Sequence, residues 1–177
     1  MSKVLAILGE LSDRDIDWMI ANGSKKKITA NTILINEGQP IDALYILLEG
    51  TMKAYVSGVK AQEIGIIAAG EVLGEMSFVD GRLPSATVEA IDDTLVLSIS
   101  KEKLNEKLEQ DVLFSLRFYR AVTKFLSTRL RGTVTHFSDR SEVLYPDSLE
   151  NNNVETEIDN NALAKSRSET LMLRLKG

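Results

Sequence analysis

GEVLGEMSFVDGRLPSATVEA, residues 70–90, decides how the chain is read. Gly70 and Gly74 permit turn geometry and close approach of the backbone. Successive N–H groups around Gly74, Glu75, Met76 and Ser77 can converge into a concavity that suits an anion. Glu75 is placed to accept from sugar hydroxyls and Ser85 to donate to an anion's oxygen. A glycine-rich turn of this kind also occurs in plain β-proteins, so spacing alone leaves both readings open.

On both sides of this stretch the chain is a series of short apolar runs. KITA, TILIN, ALYILLEG, TMKAYVS, QEIGIIA, EVLGE, SATVEAI and TLVLSIS are rich in Ile, Val, Leu, Thr and Tyr. Gly38, Gly50, Gly58, Gly70, Gly74, Gly81 and the Asp92-Asp93 pair separate them. Many short strands at this spacing predict a sandwich or barrel rather than parallel strand–helix–strand units.

Helical periods flank the strands. LSDRDIDWMIANG begins with Ser12 as N-cap and Asp15 three residues on as a capping-box acid. Ile16, Met19 and Ile20 supply its apolar spacing, Gly23 ends it, and Trp18 is assigned to packing. After Ser100, KEKLNEKLEQD predicts a short charged helix. VLFSLRFYRAVTKFLSTRLRGTV then predicts one long helix that ends at Gly132 or slightly beyond. Plotted at 100° per residue, this helix carries two apolar stripes. Leu116, Tyr119, Thr123, Leu126 and Leu130 form one, at 3-4-3-4 spacing; Phe114, Phe118, Val122 and Phe125 form the other. One stripe suffices for packing on the chain's own barrel. The 3-4 stripe has coiled-coil spacing, which predicts a homodimer through residues 112–131. The alternative is that the acidic tail folds over it. Arg117, Arg120, Lys124 and Arg131 line the remaining side and are read as a solvated face.

Charge is unevenly distributed within a net of −5. Residues 1–100 hold 8 Lys/Arg and 14 Asp/Glu, residues 101–140 hold 9 and 5, and residues 141–177 hold 4 and 7. An acidic domain, a basic segment and an acidic tail argue against DNA binding. The absence of cysteine excludes disulfides, thiolate metal sites and Cys nucleophiles. Neither a signal peptide nor a membrane span is expected, and the localisation expected is cytoplasmic. The single histidine, His136, lacks the partners of a hydrolase or metalloprotease motif, and no enzyme is expected. Residues 1–131 are expected to form the domain. Residues 132–177 form a polar, asparagine-rich tail with a short amphipathic helix over ALAKSRSETLMLRLKG, a segment suited to a protein partner.

Taken together, ILINEGQPIDALYILLEG (33–50), GEVLGEMSF and SATVEA resemble the cyclic nucleotide-binding domain family, across roughly residues 10–131. The resemblance rests on Gly38, Gly50, Gly70, Gly74, Glu75 and the Ser-Ala-Thr-Val strand. It implies a mainly β fold, an eight-stranded jelly-roll barrel with a short helix inside the phosphate loop. It also implies a long C-terminal helix that pairs between protomers in the bacterial regulators. Ligand contacts are implied at Gly74, Glu75, Met76, Ser77, Ser85 and Ala86, with Glu75 on the ribose and Met76 and Ser77 as backbone donors. The family's phosphate-binding Arg precedes the small polar residue, and here that place is Pro84. Proline has neither a side-chain donor nor an N–H. Arg82, two positions earlier on the same side of an extended chain, is the candidate substitute, against its reading as a solvated loop residue. The tail is too short and polar for the DNA-binding unit of the bacterial regulators. The expected function is a regulatory sensor for a small anion such as cyclic AMP or cyclic GMP, bound weakly, with helices 101–131 as its output. The alternative is a dimeric scaffold with a degenerate site and no ligand.

Overall fold

In the computed structural model, residues 9–58 and 62–138 are described, together with 166, 167, 169, 170, 173 and 174. Eight strands form two four-stranded antiparallel sheets. The strands are β1 (Ser24–Ile28), β2 (Ile33–Ile35), β3 (Ala43–Glu49), β4 (Met52–Val56), β5 (Gln62–Ile67), β6 (Val72–Leu73), β7 (Thr87–Ala90) and β8 (Thr94–Ser100). One sheet runs β1-β8-β3-β6 and the other β2-β7-β4-β5. Every predicted apolar run overlaps one of these strands, and the jelly-roll expectation holds.

Strand β3 shows why two layers of core exist. ALYILL is buried at all six positions, so both of its faces are covered. Side chains alternate across a strand. Ala43, Tyr45 and Leu47 join Met52, Ile67, Leu73, Val88 and Val96 between the sheets. Leu44, Ile46 and Leu48 point the other way, into a cluster with the helices. Gly50 follows at φ +88°, where an added Cβ would lie 2.6 Å from the Thr94 methyl and 2.8 Å from the Asp92 carboxylate. Asp92 and Asp93, read as turn formers, accept from the N–H groups of Thr51 and Ala30 and so hold neighbouring turns together.

Four helices complete the described fold: α1 (Asp13–Asn22), α2 (Glu75–Asp80), α3 (Lys101–Gln110) and α4 (Val112–Ser138). Helix α1 has the predicted capping box, with Ser12 and Asp15 each receiving the other's backbone N–H. Gly23 stops it in an extended conformation; an added Cβ would lie 2.7 Å from the Leu97 side chain. Asp111 caps α4 by accepting from the Phe114 N–H at 2.9 Å. Helix α4 continues past Gly132, six residues beyond the predicted end at that glycine.

The two stripes of α4 separate except at Leu126, which belongs to the 3-4 stripe but packs partly against the core cluster. Phe114, Phe118, Val122 and Phe125 are buried against the first sheet and α1. Phe114 and Phe118 stack at 6.0 Å, and Trp18 meets Phe114 edge-on at 5.4 Å, in the packing role assigned to it. Burial of side chains of this size contributes roughly 2–3 kcal/mol each. On the other stripe Leu116, Tyr119 and Leu130 are 65%, 46% and 66% exposed. The basic side is not uniformly solvated. Arg117 makes a two-pronged pair with Asp15 at 2.6 and 2.9 Å. Arg120 lies 3.2 Å from Glu10, and Lys124 also bonds to Glu10. Arg131 and the 65% exposed Arg120 still fit the solvated reading. The reason for the rest is tertiary: Asp15 of α1 and Glu10 before it stand against this side of α4, which no pattern within α4 reveals.

Candidate functional site

The site is built on α2, the short helix inside the quoted stretch. Gly74 stands at its N-cap with φ +83°. An added Cβ there would lie 2.7 Å from the Ile41 side chain and 3.2 Å from the Ala43 carbonyl. Glycine is therefore required for both conformation and space. The chain then turns directly into α2, so the N–H groups of Glu75, Met76 and Ser77 occupy the first turn, where helices leave donors unpaired.

Glu75 is the chemical centre of the site. Its side chain is 3% exposed. Burial pushes its pKa up, and the Arg129 guanidinium together with its own N–H offsets part of that rise. Arg129 Nη1 donates to Glu75 Oε1 at 2.7 Å. The same guanidinium lies 5.2 Å from the centre of the Phe125 ring, which anchors it by a cation–π contact. Arg129 belongs to α4, one turn beyond Phe125. Sequence reading missed it. The usable signal was its place at i+4 from a core phenylalanine, on the boundary between the buried stripe and the basic side.

The other expected site residues are distributed as follows. Ser77 is buried beside Glu75 in α2, while the Met76 side chain is half exposed. Ser85 is exposed and Ala86 half-buried in the segment entering β7. Pro84 uses its remaining polar group structurally: its carbonyl accepts from the Gly38 N–H at 2.9 Å. Arg82 is drawn towards a neighbour in its own turn. Its side chain is 86% exposed, and its partner is Asp80 at 4.0 Å. Its own N–H also bonds to Asp80, at 2.9 Å, which ties the GRLP turn back on itself. Among the described residues, no hydrogen bond or ion pair joins Arg82 or Ser85 to Glu75.

The charged pair at the centre of the site is thus the buried Glu75 carboxylate and one guanidinium from a distant helix. Such a pair can accept hydroxyl donors at the free lone pairs of the carboxylate and offer the remaining guanidinium N–H groups to an acceptor. No group of three or more His, Asp or Glu side chains among the described residues could hold a metal ion. No described helix is long and apolar enough to cross a membrane. The side chain of His136 and most of the tail lie outside the described residues.

The sequence of residues 25–111 matches the family model described as the cyclic nucleotide-binding domain. A solved cyclic nucleotide-binding domain from Methylobacillus flagellatus superimposes with a TM-score of 0.71 at 20% identity, over 81% of this chain and 85% of that one. That likeness concerns the fold. An uncharacterised NTE family protein of Mycobacterium tuberculosis is 26% identical over 120 residues, 68% of this chain and 20% of the relative. The cGMP-dependent protein kinase of Eimeria tenella is 37% identical over 83 residues, 46% of this chain and 8% of the kinase. The chain therefore spans at most a fifth of the length of these two relatives.

Proposed function

Residues 25–111 belong to the cyclic nucleotide-binding domain family, and from that premise we propose that the chain is a non-catalytic sensor for a small anion bearing vicinal hydroxyls, cyclic AMP or cyclic GMP, with α4 as its output. The observation that carries this reading is the Glu75–Arg129 pair. A hydroxyl that engages Glu75 competes for, or shares, the carboxylate that α4 holds. Ligand occupancy and helix position are then linked through one bond. A ligand shifts such an equilibrium only by its difference in affinity for the two arrangements. The relative from Eimeria tenella, cGMP-dependent by name, supports the choice of ligand class.

The affinity is modest. With Pro84 where the family has an Arg, a charge-assisted phosphate contact is missing. That loss is worth on the order of 2–4 kcal/mol, or roughly thirty- to a thousand-fold. Calorimetric titration with cyclic AMP and cyclic GMP tests the reading. Measurable binding that is lost in Glu75→Gln and unchanged in Arg82→Ala supports it. No heat or competition from either nucleotide at millimolar concentration removes it.

A second reading is favoured by a specific observation. The carboxylate already has an internal cation, and the exposed stripe of Leu116, Tyr119 and Leu130 is ready for a second α4. On this reading the chain is a homodimeric scaffold through residues 112–131, with no ligand required and a protein partner for its tail. A dimer that resists dilution equally with and without nucleotide favours the scaffold.

A further inference from the structure

The described tail residues do not cover the exposed stripe of α4; they lie against the N-terminal helix. Arg167 Nη1 donates to the main-chain carbonyls of Gly9, at 3.1 Å, and Leu11. Its Nε lies 3.5 Å from the Asp13 carboxylate. Arg174 pairs with Asp17. Arg167 and Arg174 stand seven positions apart in the chain, and both reach the same flank. Their two partner acids stand one turn apart on α1. The neighbouring acids are already engaged: Asp15 of α1 with Arg117, and Glu10, which precedes α1, with Arg120 and Lys124.

We propose that the acidic flank of α1 formed by Asp13 and Asp17, with the carbonyls of Gly9 and Leu11, is a docking surface for an arginine-bearing segment, and that this chain's own Arg167 and Arg174 occupy it as an intramolecular strap. Arg167 is the anchor. Its side chain is only 18% exposed and its guanidinium reaches two carbonyls that precede α1. A guanidinium's planar fork suits such a divided contact; an ammonium does not. The Arg174–Asp17 pair is half-exposed on both sides and adds little by itself. The strap is therefore held by one specific residue and tuned by screened charges, which makes it releasable by salt or by a competing arginine-rich helix. Because α1 also grips α4 through Asp15, and Glu10 just before it does the same, the strap bears on the helix that holds Glu75.

Hydrogen exchange on the full chain tests the strap. Arg167→Glu/Arg174→Glu should speed amide exchange in residues 13–22 about ten-fold and leave β3 unchanged, which also shows that the barrel is intact. Arg167→Lys should give an intermediate effect. Exchange in α1 that is unchanged by the double substitution overturns the proposal. The chain has no native cysteine, so proximity can be probed directly. With Asp17→Cys/Arg174→Cys, a short bis-maleimide should link the two thiols within one chain. Absence of a link, or a link only between chains, overturns docking in cis.

Discussion

Arg129 and Glu75 stand 54 residues apart in the chain and meet at 2.7 Å. The carboxylate is buried at the start of a six-residue helix, and the guanidinium is held over Phe125 on a helix of 27 residues. The ring of Phe118, on that same long helix, also touches Phe78 of the short one, edge-on at 5.7 Å. The glycine-rich loop and α4 are therefore joined by one ion pair and one aromatic contact, and each makes a different prediction.

Removal of Arg129 leaves Glu75 buried and unpaired. Arg129→Ala should cost about 2–4 kcal/mol at pH 7 in urea unfolding, with the lower end expected because the guanidinium is one-third exposed. The folded-state pKa of Glu75 already lies above its ordinary 4.5 because of burial. A raised carboxylate favours folding in its protonated form and loses that contribution as pH rises through the folded value. The penalty of Arg129→Ala should therefore shrink as pH is lowered towards 4.5. Glu75→Gln in the same background should recover part of it. A penalty that is independent of pH and of Glu75 contradicts the pairing.

Asp15 titrates in the opposite sense. Burial raises its pKa, but hydrogen bonds from Arg117 and Ser12 outweigh that, and the net is a carboxyl below its ordinary 3.8. Its stabilising contribution is present above pH 3.8 and lost as pH falls through the lower, folded value. Asp15→Asn should cost about 2 kcal/mol at pH 7, since it breaks a buried pair and weakens a helix cap. The difference from wild type should close below pH 3.8, as read by unfolding midpoints across an acid series.

Phe118 sits between Phe78, Phe114 and Tyr119 and is almost fully buried. Phe118→Ala should destabilise by about 3–5 kcal/mol, the range for a cavity left by a core aromatic. A cost below about 1 kcal/mol would show that α4 is not packed on the first sheet as described.

Pro84→Arg restores the side chain that the family resemblance implies at this place. The Pro84 carbonyl that receives the Gly38 N–H belongs to the backbone, so the turn need not be lost. Affinity for cyclic AMP or cyclic GMP should rise roughly thirty- to a thousand-fold over wild type. Unchanged titration curves would mean that position 84 does not face the ligand.

Leu116→Glu and Leu130→Glu place charges on the exposed stripe of α4 without touching the core. Light scattering should report a shift from dimer to monomer. Within the monomer, stability should move by no more than about 0.5 kcal/mol. A wild type that is monomeric at all concentrations removes the dimer.

Much of this architecture was legible in local patterns. The Ser12–Asp15 capping box, the eight apolar runs and the two stripes of α4 depend on neighbours within a few residues; the helix that starts after Gly74 came only from the family resemblance. What local pattern missed shares a cause. Nothing near Arg117 or Lys124 reveals that Asp15 and Glu10 will stand opposite. The place of Arg129 one turn beyond a core phenylalanine marks it as a boundary residue, but its partner lies on another element.

Periodicity, glycine placement and the family-like stretch around Gly74 and Glu75 were enough to establish a two-sheet barrel, its flanking helices and its glycine-rich loop. Those features follow from side-chain alternation, helical spacing and backbone sterics, all of which act over short range. Which cation reaches Glu75, and which acids neutralise α4, was decided only when the long helix crossed the barrel. Ion pairing acts over a few ångströms of space, and folding, not chain order, determines which charges come that close.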